Sequence, residues 1–160
     1  MKQVNRKSAI LVLSAILILA SAACRREAAK AELFHRFPDQ TWRRFNLLSF
    51  EIPVTHPGNY DISLFAVFTR EYPYPTLDFN MIMNTPAGEE RTNEYIMEIK
   101  GNGVSAEGCT ADSCTGTIML KKGLNLSKKG MLKIQIENLI PKIATSGIRG
   151  VGIRLAPSTQ

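Results

Sequence analysis

Residues 60–68 read Tyr-Asp-Ile-Ser-Leu-Phe-Ala-Val-Phe, and this stretch decides the fold class. Apolar side chains recur at every second position from Tyr60 to Phe68, with Asp61 and Ser63 between them. Successive side chains of a strand point to opposite faces, so this alternation predicts a β-strand with one buried face. No segment of the chain shows a helical period of domain length.

The same two-residue period returns along most of the chain. Further strands are predicted at 45–52, 77–83, 95–99, 115–120, 132–137 and 148–155. Turn-forming sequences such as His56-Pro57-Gly58-Asn59 and Thr85-Pro86-Ala87-Gly88 separate them. Each strand must bury its apolar face against a second sheet. The sequence therefore predicts an all-β fold, a single jelly-roll-like β-sandwich domain.

The composition is that of an ordinary globular protein. The chain has 160 residues, of which 44% are hydrophobic and 21% charged, which fits one domain with one core. Its 20 basic and 14 acidic side chains give a net charge of +6. That excess invites a nucleic-acid interpretation, which has to be tested against where the positive charges lie.

The N-terminus has the pattern of an export signal. Lys2, Arg6 and Lys7 precede an apolar run, and the small residues at 21–23 are followed by Cys24. This arrangement resembles a bacterial lipobox, which implies cleavage before Cys24 and acylation of that residue. The alternatives are an uncleaved membrane helix and a secreted soluble product. Cleavage removes three positive charges and no negative one, which lowers the net charge to +3 and leaves little support for nucleic-acid binding.

The expected organisation has three parts: a lipoprotein signal peptide at 1–23, a lipidated tether at 24–33 and a β-sandwich at 34–157. Arg25 stands where the inner-membrane retention signal of many bacteria would place Asp. Since this chain lacks that Asp, comparison with such signals implies an outer-membrane lipoprotein. The acidic cluster that marks surface-exported lipoproteins is absent after Cys24, so the periplasm-facing side is expected.

No set of residues in the sequence matches a known catalytic or metal-binding pattern. His35 and His56 have no metal-ligand spacing with each other or with a cysteine. Asp61 and Asp78 could in principle form a glycosidase pair, but carboxylates on the outer faces of strands are usually only solvated. The sequence therefore predicts a non-enzymatic protein with no cofactor and no bound metal.

Cys109 and Cys114 are separated by four residues in an expected loop. In an oxidising periplasm this spacing favours a local disulfide, with free thiols or a metal or redox role as alternatives. Five lysines follow at 121, 122, 128, 129 and 133. If the fifth and sixth strands form a hairpin, these lysines gather at one end. They would then form a solvated edge or a patch for acidic lipid head groups or an acidic partner.

The stretch from Arg70 to Phe79 contains the sequence Tyr72-Pro73-Tyr74-Pro75. The two prolines exclude a helix and favour an extended chain. This segment is either a crossover between the sheets or an exposed aromatic contact surface.

The order of these motifs resembles the gliding-motility lipoprotein family GldH of the Bacteroidetes. The matching pieces are Trp42, 60–68, Arg70, 72–77, 86–88, 101–103 and 147–153. The resemblance implies an outer-membrane lipoprotein of the gliding and cell-envelope machinery. Such a protein would be held to the membrane by its lipid anchor and would contact other envelope proteins.

A partner surface on this protein would draw on Trp42, Arg70, Tyr72 and Tyr74. The alternative from a different class is a glycan-binding surface lipoprotein, because jelly rolls often bind sugars. An envelope hydrolase is disfavoured, since the sequence shows no catalytic set.

Overall fold

The computed structural model describes residues 30–99 and 108–159, and ten β-strands make up most of those ranges. No helix occurs within them. The strands are β1 (Ala31–Arg36), β2 (Thr41–Arg43), β3 (Leu48–Val54), β4 (Gly58–Thr69), β5 (Thr76–Asn84), β6 (Glu90–Glu98), β7 (Ser113–Leu126), β8 (Gly130–Asn138), β9 (Ala144–Ser146) and β10 (Ile148–Pro157).

Eight of the strands form two four-stranded antiparallel sheets. Sheet I has the order β1-β10-β4-β7 and sheet II the order β3-β8-β5-β6, while β2 and β9 pair as a separate two-stranded ribbon. With the ribbon set aside and the eight remaining strands renumbered along the chain, the two orders become 1-8-3-6 and 2-7-4-5. That is the arrangement of a jelly roll. The predicted all-β, jelly-roll-like sandwich is confirmed.

The core lies between the two sheets and follows the alternation seen in the sequence. On β4, the side chains of Tyr60, Ile62, Leu64, Ala66 and Phe68 are all buried. The facing sheet contributes the inner faces of β5 and β8, which consist of Leu77, Phe79, Met81, Met83, Leu132, Ile134 and Ile136. Burying one such large side chain contributes about 1.5–3 kcal/mol, so these faces hold the sheets together.

Strand β7 is longer than its sequence suggested. It continues past residue 120 to Leu126, because a bulge at Gly123 accommodates the polar segment 121–123. Gly123 has a φ of 62°, and its backbone N–H donates to Asp61 Oδ1 at 2.7 Å. The expected hairpin between the fifth and sixth strands is wrong, since β7 lies in sheet I and β8 in sheet II.

The remaining differences concern short or edge strands. Pro53 was expected to end a strand, but it lies within β3 and is paired in register with Met131. This is possible because β3 is the edge strand of sheet II, where a missing N–H costs no sheet hydrogen bond. Strand β1 begins at Ala31, inside the range predicted as the tether, and pairs with the end of β10. Strands β2 and β9 have three residues each, too few to produce a period.

Candidate functional site

The two ends of the sandwich carry different basic side chains. At one end β1 begins, β10 ends, and short connections at 55–57, 85–89 and 127–129 join the strands. Six of the seven lysines in the described ranges lie in this half, so we call it the lysine end. They are Lys30, Lys121, Lys122, Lys128, Lys129 and Lys133. Three ion pairs form among the described residues, and none of them includes a lysine.

The opposite end carries arginines, and we call it the arginine end. Its described connections include 37–47, 70–75 and 139–147. Five of the seven described arginines lie here: Arg36, Arg43, Arg44, Arg70 and Arg149. The other two, Arg91 and Arg154, are ion-paired with Glu89 and Glu32. Lysine is a strongly hydrated point charge, whereas the arginine fork binds carboxylates and phosphates in a fixed geometry, so the two ends suit different partners.

A buried polar cluster fastens the β2–β9 ribbon to the arginine end. The Asn138 side-chain amide at the end of β8 donates to the backbone carbonyl of Trp42 at 3.4 Å and to the Thr145 hydroxyl at 3.0 Å. Its carbonyl oxygen accepts from the backbone N–H of Ile140 at 2.9 Å. One fully buried side chain therefore joins both ribbon strands to the sandwich, which gives this end a fixed shape.

The ribbon presents a small apolar tip, formed by Phe45, Leu47 and Ile143. Phe45 is 85% exposed and Ile143 is 79% exposed. The backbone N–H of Arg44 donates to the carbonyl of Ile143 at 3.0 Å, which holds the two segments side by side. Large apolar side chains gathered on an exposed tip are typical of a protein contact.

A cleft opens on the outer face of sheet I near the arginine end. It has a volume of about 540 Å³, and its lining consists of Phe34, Arg36, Phe37, Pro38, Gln40, Val67 and Arg149. The face beside it is shaped by two glycines of β10, because a Cβ atom at Gly150 would overlap the Phe34 ring and one at Gly152 the Phe65 ring. These two rings stack with centroids 5.7 Å apart.

Two of the four residues expected to form a partner surface are buried. Trp42 is 0% exposed, stacks on Phe37 and donates its indole N–H to the Asn46 carbonyl at 2.9 Å. Tyr72 is 2% exposed, and its hydroxyl donates to the Thr76 carbonyl at 3.0 Å. Burial raises the pKa of Tyr72 well above its usual range, with smaller contributions from Tyr74 and Asp78. Both rings fill the core at this end, so they cannot form the predicted contact surface.

The other two residues stay nearer the surface. Arg70 is exposed and donates to the carbonyl of Thr110 at 2.8 Å, which ties the β4–β5 connection to the cysteine loop. Tyr74 is partly buried and packs edge-on against Tyr72. In that loop Cys109 and Cys114 form a β-bridge and are joined through their sulfur atoms. Whether the pair is oxidised in the cell stays a prediction. Cys24 lies outside the described residues.

The acidic and histidine residues considered from the sequence do not converge. Asp61 is on β4 of sheet I and Asp78 on β5 of sheet II, so they do not share the same sheet. His35 is near the arginine end and His56 is in a lysine-end connection. In residues 30–99 and 108–159, no group of three or more His, Cys, Asp or Glu side chains could hold a metal ion.

Fold and surfaces together define a small all-β jelly-roll domain with an exposed apolar tip and a cleft toward one end. The family model of the GldH lipoprotein matches residues 30–155, from just before β1 to near the end of β10. The chain therefore belongs to the GldH lipoprotein family, which confirms the resemblance seen in the sequence.

Comparisons with other proteins add little to the family match. The chain is similar to a solved structure of Eiger TNF from S. frugiperda, at 12% identity and a TM-score of 0.39. That alignment covers 84% of this chain and 96% of the other. No curated protein matches the chain. Within the part of the chain that the structure describes, no helix has the length and apolarity to cross a membrane.

The cleft could not have been found from sequence spacing. Arg36 and Arg149 are more than a hundred residues apart in the chain, and only the pairing of β1 with β10 brings them to one surface. The sequence contains only a weak indication of the apolar tip. The strand predicted at 45–52 includes Phe45 and Leu47, whereas β3 begins only at Leu48 and leaves both residues in the connection before it.

Proposed function

We propose that this protein is a non-enzymatic envelope lipoprotein, anchored through acyl chains on Cys24, that binds another envelope protein with its apolar tip. In this proposal the partner belongs to the gliding or cell-envelope machinery, as for the family whose model matches the chain. The outer membrane, on its periplasmic side, is the proposed location.

The position of the lysines supports this mode of attachment. Lys30 precedes β1 at the lysine end, and Cys24 is six residues before it. Six residues span at most about 20 Å, so a lipid on Cys24 would keep this end close to the bilayer. Each lysine near an anionic membrane surface contributes about 1 kcal/mol of attraction. The arginine end would then be turned toward the space where a partner can reach it.

The single observation that carries the partner-binding proposal is the exposed apolar tip. Phe45, Leu47 and Ile143 sit on a ribbon that Asn138 fastens to the core, so the tip is presented in a fixed geometry. A preformed apolar contact loses little conformational entropy on binding, and removing its apolar surface from water favours association. Arg44 and Lys142 are the chain neighbours of Phe45 and Ile143 and can steer an acidic partner toward the tip, whereas Arg43 is ion-paired with Asp39.

Crosslinking in native membranes tests the proposal. The full-length protein is crosslinked in its host and purified, and co-purifying envelope proteins are identified by mass spectrometry. Ile143→Glu should abolish the specific partner, because a charge is placed at the centre of the tip. Ile96→Glu is a matched control, since Ile96 is also an exposed isoleucine, at 65%, but lies on β6 of sheet II.

Two outcomes would contradict the proposal. If Ile143→Glu keeps every partner that the unchanged protein captures, the tip is not the contact surface. If Ile96→Glu removes the partner as completely, the effect is not specific to the tip. The anchor is tested separately with Cys24→Ala, which should move the protein from the membrane fraction to the soluble periplasmic fraction.

A further inference from the structure

The cleft on the outer face of sheet I is independent of the apolar tip, because none of Phe45, Leu47 and Ile143 lines it. Its volume of about 540 Å³ lies within the range of small-molecule sites in proteins, which is about 300–1,000 Å³. The lining contains two guanidinium groups, from Arg36 and Arg149, and no acidic side chain. The cleft is therefore electropositive.

Neither Arg36 nor Arg149 forms an ion pair within the described residues. Arg149 Nε is buried and has no hydrogen-bond partner among the described residues. Glu71, which does not line the cleft, is near enough for Arg149 to lower its pKa. Stronger causes of that lowering are the hydrogen bonds from the Glu71 backbone and from the Thr69 hydroxyl. Because this Nε is itself closed off from the cleft, Arg149 would meet a ligand through the terminal N–H groups of its guanidinium.

The rest of the lining is apolar and aromatic. The Phe34 ring is 43% exposed, and it lies over Gly150, where the absence of a side chain leaves the sheet flat. Its other neighbour is the Phe65 ring, which Arg154 covers with its guanidinium carbon 5.0 Å from the ring centroid. Phe34 is therefore the ring of this stack that lines the cleft.

Gln40 adds an uncharged polar group to the same lining. It is the one non-glycine residue of the described ranges with a positive φ, at 52°. Side chains seldom adopt this backbone conformation, and residues held in it concentrate at functional sites. Its amide offers both a donor and an acceptor, which matches the hydroxyl groups of a sugar.

We propose that this cleft binds an acidic sugar, a pyranose ring carrying a carboxylate or a phosphate ester. The anionic group lies between Arg36 and Arg149, since guanidinium groups pair with either oxyanion. The apolar face of the ring stacks on Phe34, and Gln40 bonds a hydroxyl group. A peptide would instead pair with the free backbone edge of β1, which runs beside the cleft and not through it.

Binding is measured by isothermal titration of the purified full chain with six probes. We expect glucuronate or glucose 6-phosphate to bind at least about tenfold more tightly than glucose, and the stronger of the two identifies the anion. Acetate and inorganic phosphate test the anion alone, and they should bind at least about tenfold more weakly than the acidic sugars because they cannot stack on Phe34. A tetraglutamate peptide tests the acidic-peptide alternative.

Three variants connect binding to the cleft. Arg36→Gln and Arg149→Gln should each weaken binding of the acidic sugar about tenfold or more. Arg44→Gln is the matched control, because Arg44 is at the same end but does not line the cleft, and it should bind as the unchanged chain does. Phe34→Leu should weaken the acidic sugar but leave acetate unaffected. Circular dichroism melts confirm that each variant is folded.

The proposal is overturned if neither acidic sugar binds or if glucose binds as tightly. Equal affinity for acetate, phosphate or tetraglutamate would also overturn it, since the sugar would then contribute nothing. An equal loss in Arg44→Gln would show that only net charge matters. None of these results depends on the partner captured by the apolar tip, so the two proposals fail separately.

Discussion

The side-chain amide of Asn138 lies 3.0 Å from the Thr145 hydroxyl, and both side chains are completely buried. Through this bond and the one to the Trp42 carbonyl, a single amide holds β2 and β9 against the end of β8. The exposed apolar tip depends on that attachment, although no tip side chain takes part in it.

Asn138→Ala should therefore destabilise the protein by about 3 kcal/mol, because it leaves the buried Thr145 hydroxyl, the Trp42 carbonyl and the Ile140 N–H without their partner. The loss of stability is measured by urea unfolding, with the fluorescence of Trp42 as the signal. Asn125→Ala is the control, since Asn125 is exposed and bonds only the Asn59 side chain, and it should change stability by less than about 0.5 kcal/mol. Equal losses in the two variants would contradict the role given to Asn138.

Gly152→Ala should destabilise the protein by about 1–3 kcal/mol. A Cβ atom there would overlap the Phe65 ring and approach the carbonyl oxygen of Leu33 on the neighbouring strand to 2.6 Å. The ring can move, but the backbone carbonyl is held by the pairing of β1 with β10. Gly58→Ala is the matched control, because its Cβ would meet only the Tyr60 ring at 3.6 Å, an ordinary contact. A thermal melt that is unchanged in Gly152→Ala would show that sheet I is looser than described.

Asp61 should make stability depend on pH in the acid range. Its pKa is lowered below 3.8 mainly by the hydrogen bond from the Gly123 N–H, then by one from the Ser158 side chain, while Lys122 adds a smaller contribution. A carboxyl group with a lower pKa in the folded state stabilises the fold above its unfolded pKa, and this stabilisation is lost as the pH falls. Asp61→Asn should therefore be less stable than the unchanged chain at pH 7. The difference should shrink when urea midpoints are measured below about pH 4, and a constant difference would contradict the assignment.

We expect Cys109 and Cys114 to form a disulfide in the cell. Alkylation of the denatured, unreduced protein should modify neither Cys109 nor Cys114, as detected by peptide mass spectrometry. Replacing both by alanine should cost about 2 kcal/mol, the value expected for closing so short a loop. Modification of both residues without prior reduction would show that the pair is not a disulfide in the cell.

The sequence predicted the strands correctly wherever one face of a strand is buried and the other is exposed to solvent. For β4, β5 and β8 the alternation identified both the strand and its inward side chains, because a one-residue slip would expose the whole apolar set. It failed for β2 and β9, where three residues cannot establish a period. At Pro53 the predicted strand ended too early. A proline is compatible with an edge strand, and the sequence does not reveal which strand is at an edge.

The candidate sites were harder to predict, for a different reason. The exposed or buried state of an aromatic side chain depends on what packs over it, and Trp42 is covered by a ribbon that the sequence did not reveal. Likewise the lysines were expected together through a hairpin, yet they reach the same half of the molecule on strands of different sheets. Surfaces formed by side chains distant in sequence follow from topology, which the local pattern leaves open.

The connections differ in length between the two ends of the sandwich. Those at the lysine end, 55–57, 85–89 and 127–129, are short, whereas 37–47 and 139–147 at the arginine end are longer and contain the ribbon strands. Long surface connections tolerate insertions, deletions and substitutions that a sheet does not. The arginine end can therefore change in length and sequence while the two sheets keep their pairing.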